Sequence, residues 1–279
     1  MDILLTNDDG YRAKGLKVLA GIMRQFGNVT VIAPKIHQSG MSMAVSMNRR
    51  PLAYRMTGKE DGVSWSYLDA TPASCVKFAL NTVFLEKAPD VVVSGINHGS
   101  NAAAAACYSG TLGAVAEAAL NGIPGIGVSM DTFDPDADFS AVAEYFPEIF
   151  RKLMSGLPER YGIYYNVNFP GISCGRIKGV KAATQGMGRW VKEFLPWTEE
   201  NARNLGIPSE DFTSAAAAAG EGETLYVMTG EFTDDSRNPD SADHRYNKDG
   251  YITVTPHRID CTDYGEYTRL IQSGIGATF

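Results

Sequence analysis

The first segment, residues 2–6 (DILLT), is apolar almost without interruption, which predicts a strand covered on both faces. Asn7, Asp8, Asp9 and Gly10 break the run. Leu16, Leu19, Ala20, Met23 and Phe26 then recur at helical spacing, and Gly27 with Asn28 ends the helix. Residues 29–33 predict a second short strand, halted by Pro34. From His37 to Gly62 the pattern loses regularity, and residues 41–45 and 50–56 read as strands of a hairpin outside the main sheet. Thr71 followed by Pro72 marks a helix start, cap residue then proline, with Val76, Ala79, Leu80 and Val83 on the buried side. Residues 91–93 predict a third buried strand, 111–120 a helix, 123–130 a strand, 141–153 a helix and 163–168 a strand.

Strands alternating with helices predict an α/β fold, a largely parallel sheet with helices on both faces. After Pro170 the pattern changes. Residues 179–184 and 250–255 read as strands and 259–271 as a terminal helix, but 190–223 and 233–249 lack a clean period. Those stretches read as loops or an extended arm suited to packing on another subunit. The expected organisation is a core over 1–185 and an arm region over 186–279 that returns to the core near 250–279.

Composition narrows the partners. The 279 residues are 44% apolar, enough for a real core, and carry 32 acids against 25 bases for a net charge of -7. That balance argues against a nucleic-acid polymer, which needs a basic face, but not against a small phosphorylated ligand beside a cation. The opening MDILLTNDDG is acidic and its apolar run short, so neither a signal peptide nor a membrane span is expected, and the cytoplasm is. Cys75, Cys107, Cys174 and Cys261 form no CxxC pair; buried reduced thiols are expected, and a structural zinc is not.

In an open parallel sheet, ligands bind beyond the carboxyl ends of the strands, where strand order reverses. Three polar clusters fall at such ends: Asn7, Asp8 and Asp9 after the first strand; His37, Gln38, Ser39 and Gly40 after the second; Ser94, Gly95, Asn97, His98, Gly99 and Asn101 after the third. Adjacent carboxylates are costly unless something positive sits beside them. At a bend ending in Gly10, Asp8 and Asp9 can turn toward one cation, with the Ser39 hydroxyl and the Asn97 carbonyl. An oxygen-only set suits magnesium, manganese or calcium. The plainer alternative is that both acids cap the following helix. Tyr108, Ser109, Gly110 and Thr111 directly precede a helix, and free N–H groups with two hydroxyls make an anion site there. The alternative is a simple Ser/Thr cap. His98 is open to a role in proton transfer or a structural one, as is His37.

No Walker loop, HExxH or GxSxG is present. A phosphoaspartate mechanism would place Asn7 as nucleophile, which is a poor one. A receiver-like metal-binding signalling module would need an acceptor Asp after the third strand, where this chain has Ser94-Gly95-Ile96-Asn97.

The segments ILLTNDDG, GL(x)2LA, IAPKIHQSG, ATPASCVKFAL, DVVVSGINHGSN and YSGTLGAVAEAAL, with NVNFP at 166–170 and GYITVTPHRID at 250–260, resemble the SurE family of survival-protein nucleotidases in order and spacing. The resemblance implies a Rossmann-like three-layer fold with an oligomerisation arm, and metal-dependent hydrolysis of nucleoside 5′- or 3′-monophosphates. Short polyphosphate or another small phosphomonoester is the alternative substrate. It also implies a homodimer or homotetramer with exchanged C-terminal segments. The family's metal positions fall on Asp8, Asp9, Ser39 and Asn97, one divalent ion per subunit. Asn7, Gly40, Asn101, Ser109, Gly110 and Thr111 are expected around the substrate phosphate. The chain departs from the family at Ala102–Ala106, where glycine and acidic residues are usual. It also departs at Ala242, in place of the threonine before Asp243, and at His257, in place of leucine; residues 190–225 match poorly.

Overall fold

The computed structural model describes residues 1–47 and 50–275. The chain divides into two compact units, one of Met1–Gln185 with the described residues from Asp240 onward, the other Gly186–Pro239. In chain order the first unit holds β1 (Asp2–Thr6), α1 (Lys14–Met23), β2 (Asn28–Pro34), β3 (Tyr54–Glu60), β4 (Val63–Leu68), α2 (Pro72–Asn81), β5 (Val91–His98), α3 (Gly110–Leu120), β6 (Gly125–Met130), α4 (Ser140–Ser155), β7 (Ile163–Phe169) and β8 (Val180–Ala182). The second unit holds β9 (Arg189–Val191), β10 (Phe194–Pro196), α5 (Glu199–Asn204), α6 (Ser209–Ala218), β11 (Tyr226–Met228) and β12 (Glu231–Thr233). The chain then returns to the first unit with α7 (Asp243–Lys248), β13 (Ile252–Arg258) and α8 (Tyr264–Gln272).

One sheet runs in the order β3-β4-β2-β1-β5-β6-β7-β13-β8. It is parallel except for β3 against β4 and β13 against β7. Strand order reverses about β1, with β2 and β4 on one side and β5 to β7 on the other. The apolar run of β1 serves both faces. Ile3 and Leu5 pack with α1 and α4 residues such as Leu16, Leu19 and Phe146, while Leu4 packs with Val76 of α2 and Leu112 and Val115 of α3. Each such fully buried side chain is worth about 1.5–3 kcal/mol of removal from water. Helix α3 lies close against β6 because glycines stand where they meet. A Cβ on Gly125 would stand 2.5 Å from the Val115 carbonyl, and one on Gly127 would stand 2.6 Å from Leu112.

The expected α/β architecture is present, with several local differences. The hairpin placed at 41–45 and 50–56 forms instead as β3 and β4, and it joins the main sheet as its edge. Val83, expected on the buried side of α2, lies beyond the helix and is exposed. The third strand does not stop at Val93; it continues through His98, with a register shift against β6 between Ser94 and Asn97. Of the four cysteines, Cys75 alone is buried, Cys174 is half-buried, and Cys107 and Cys261 are exposed. Among the described residues no helix is long and apolar enough to cross a membrane.

Candidate functional site

The loop after β1 is folded by its own asparagine. Asn7, fully buried, donates to the Gly10 carbonyl at 3.0 Å and accepts the Gly10 N–H at 3.2 Å. Asn7 therefore shapes the turn that carries the two acids. Those acids do not cap the helix that follows them, since α1 begins after Ala13 with no side-chain cap.

Asp8 faces the start of α3 instead. Its Oδ1 accepts the Thr111 hydroxyl at 2.6 Å and its Oδ2 the Thr111 N–H at 3.1 Å. Burial pushes the Asp8 carboxyl up to about 6; the Thr111 hydroxyl pulls it down and the charge of Asp9 pushes it up again. The approach needs Gly110, where a Cβ would meet Asp8 Cβ at 2.9 Å and Oδ2 at 3.0 Å. The Asp8 carbonyl accepts Gln38 N–H at 2.7 Å, which ties the loop carrying Ser39 and Gly40 to the same place. That loop also holds the helix start, because Ser42 donates to the carbonyls of Tyr108 and Cys107 at 2.9 Å each.

Asp9 turns the other way. One oxygen stands 3.5 Å from His37 Nδ1 and the other 3.3 Å from His98 Nδ1, with the His98 N–H at 3.4 Å. His98 is edge-on to Phe139, and its buried Nε2 has no partner among the described residues. Asn97, nearly buried, donates from Nδ2 to the Gly99 carbonyl at 2.8 Å. That bond fixes the amide's sense and leaves Oδ1 as an acceptor with no partner among the described residues. Ser39 is exposed, and its hydroxyl likewise makes no bond among them. Gly40 beside it has φ +76°, a conformation that favours glycine.

The anion site expected at Ser109, Gly110 and Thr111 is partly filled from within. Thr111 gives both donors to Asp8, and Ser109 Oγ accepts Leu112 N–H at 3.1 Å as the helix cap. The Ser109 hydroxyl hydrogen and the Gly110 N–H remain for an outside anion. Asn101 is buried, donating to Ser129 Oγ at 2.8 Å while its N–H goes to Asn168 Oδ1 at 2.8 Å. The whole donor set is oxygen. Among the described residues no three His, Cys, Asp or Glu side chains gather as a metal site.

Two features escaped the sequence pattern. Asp243 is fully buried and accepts the Ala103 N–H at 3.0 and 3.1 Å, so the C-terminal return of the chain holds the loop beyond Asn101. Asn166 and Asn168 lie on one face at the end of β7, bonded to each other at 2.8 Å and to Asn101. Polar residues two apart in an otherwise apolar strand end were the available signal for this pair.

The family model described as Survival protein SurE matches residues 3–192. A protein named 5′-nucleotidase SurE from Phocaeicola vulgatus is 38% identical over 269 residues, covering 96% of this chain and 95% of that one. One of the same name from Bacteroides thetaiotaomicron is 36% identical over 264 residues, covering 94% and 92%. A crystal structure of the SurE protein from Aquifex aeolicus aligns with TM-score 0.76 at 28% identity, over 98% of this chain and 99% of that chain. With the family pattern matched over most of its length and the acidic loop set against α3 in a mostly parallel sheet, the chain belongs to the SurE family.

Proposed function

We propose that this chain is a divalent-metal-dependent phosphomonoesterase that hydrolyses nucleoside 5′-monophosphates, and 3′-monophosphates as a related class, to nucleoside and phosphate. The relatives' name, 5′-nucleotidase SurE, supports the substrate class. The observation that carries the chemistry is the Asp8 carboxylate, buried beside Asp9 and held by Thr111, while the Asn97 amide oxygen has no partner among the described residues.

Asp8, Asp9, Ser39 and Asn97 would hold one divalent ion per subunit, and magnesium, manganese or calcium fits four oxygen donors. A bound ion supplies Lewis-acid polarisation of the phosphate and neutralises its charge. The chain's residues do the rest. Thr111 holds Asp8 in its ionised orientation. Gly110 N–H and the Ser109 hydroxyl donate to phosphate oxygens at the positive end of α3. Asp9, steadied by His98, orients the water that attacks phosphorus while the ester oxygen leaves, and Asn97 steadies charge on the equatorial oxygens. Asn7, Gly40 and Asn101 shape the loops around the phosphate.

The reading extends to assembly and place. Residues 186–279 contain an arm region for a homodimer or homotetramer that returns to the core near 250–279, and the rest of the core lies over 1–185. Trp190, Phe194, Tyr226 and Met228 are exposed in the second unit, and such apolar surface favours a subunit contact. The chain acts in the cytoplasm on small nucleotides, not on nucleic-acid polymers or membranes.

The test is phosphate release from a panel of 5′- and 3′-nucleoside monophosphates and one non-nucleotide phosphomonoester. Turnover confined to nucleotides supports the reading; equal turnover of the non-nucleotide ester contradicts the substrate class.

A further inference from the structure

On the face that carries α1, the sheet runs on past the helix that covers it. Helix α1 packs on β5, β1 and β2, so β4 and β3 extend beyond it on that face. Two adjoining concavities of about 490 and 600 Å³ open there and share Tyr11, Arg12 and Thr57. Arg12, Lys17, Lys35, Arg55 and Lys59 line them, against the single carboxylate of Glu60. Lys35 pairs with Asp69 at 3.4 Å, and the other four cations have no ion pair among the described residues.

Four cations without an ion pair among the described residues, spread over two adjoining concavities, are unexpected on a chain of net charge -7. Like charges gathered on a concave wall repel one another, and the wall focuses their field outward onto an anion. Aromatic rings are interleaved with them. Tyr11 and Tyr67 are 4.9 Å apart, the Arg12 guanidinium lies 5.2 Å over Tyr11, and half-buried Trp65 lines the first concavity. Cations alone would suit any polyanion, whereas rings beside them suit a planar group joined to several phosphates.

We propose that this cleft is a binding site for a nucleoside polyphosphate, distinct from the site at Asp8 and Asp9. The base lies on the Tyr11, Tyr67 and Trp65 rings, and the phosphate chain lies along Arg12, Lys17, Arg55 and Lys59. The proposal involves no hydrolysis and does not rest on the nucleotidase reading.

Trp65 is a built-in reporter once the other two tryptophans are removed. The full chain carrying Trp190→Phe and Trp197→Phe is titrated with ATP in EDTA, which strips divalent ions and prevents turnover. A saturable change in Trp65 emission is expected. Inorganic tripolyphosphate is expected to bind at least ~10-fold more weakly, and Lys17→Glu with Lys59→Glu to weaken ATP by at least ~10-fold. Arg55→Glu, on the exposed edge strand, should weaken ATP in the same sense if the double variant folds poorly. Equilibrium dialysis of ATP against the unsubstituted chain supplies a second readout. ATP binding that neither charge reversal weakens, or no binding by dialysis, overturns the proposal. Tripolyphosphate binding as tightly as ATP overturns the role of the rings.

Discussion

Thr111 gives the Asp8 carboxylate both its hydroxyl, at 2.6 Å, and its backbone N–H, at 3.1 Å, across 103 residues of chain. The bond joins the loop at the end of β1 to the start of the most buried helix. It places a carboxylate where the positive end of α3 stabilises negative charge, yet burial still holds its acidity near neutrality.

That tension has a measurable cost in stability. The folded carboxyl titrates at about 6 against 3.8 for a free one, so the folded metal-free protein holds the proton more tightly than the unfolded chain. Its contribution to stability is present below pH 3.8 and is lost as pH rises through 6, by roughly 3 kcal/mol at most. Asp8→Asn cannot ionise. It is expected to raise the Tm of EDTA-stripped protein by several degrees at pH 7.5, with the gain shrinking below pH 6 and small by pH 4. A gain that does not change with pH would show that Asp8 is not under this strain.

Gly110 is the contact on which the relationship depends. A Cβ there meets Asp8 at 2.9 Å and the Gln38 carbonyl at 3.2 Å, neither of which is the loose end of a side chain. Gly110→Ala should lower kcat/KM for nucleoside monophosphates at least ~100-fold through a displacement of Asp8 on the ångström scale. The circular dichroism spectrum should stay unchanged. Activity within threefold of the parent would mean that the Asp8 position tolerates that displacement.

Ala103 adopts φ +54° while its N–H is held by Asp243. An L-residue with a Cβ pays about 1–2 kcal/mol for that conformation, which glycine adopts freely. Ala103→Gly is expected to add about 0.5–1 kcal/mol in urea denaturation, net of glycine's greater unfolded-state entropy. Destabilisation instead would mean that the Ala103 methyl packing outweighs the backbone strain.

His257 is held below the usual histidine value of 6.5 by burial, while the nearby Asp243 charge pulls the other way. The folded state therefore favours the neutral ring, and stability from this group, complete above pH 6.5, is lost as pH falls through the window below it. His257→Leu keeps an apolar contact with Tyr164 and cannot charge. Its Tm should fall less than that of the parent between pH 6.5 and 5. Parallel Tm curves would remove His257 from the acid response.

Much of this was legible along the chain. The strand at 2–6 and the helix begun by Thr71 and Pro72 declared themselves through an apolar run and a cap, which are local signals. β3 did not, because every one of its residues is exposed and the strand is broken by a bulge at Met56 to Gly58. β5 was cut short at Val93 because Ser94, Gly95 and Asn97 read as loop, although their strand is buried on both sides. The Asp8–Asp9 pair was visible as adjacent acids after a strand. That Asp8 draws on Thr111, and Ala103 on Asp243, depends on contacts 103 and 140 residues apart, which no local period encodes.

The most direct test is phosphate release from AMP by the metal-stripped chain, before and after magnesium, manganese or calcium is returned, with Asp8→Asn alongside. Asp8 and its neighbours as cation ligands predict no release without metal, recovery with at least one of the three, and none from the variant under any. Release that survives stripping, or an Asp8→Asn protein as active as the parent, would contradict it.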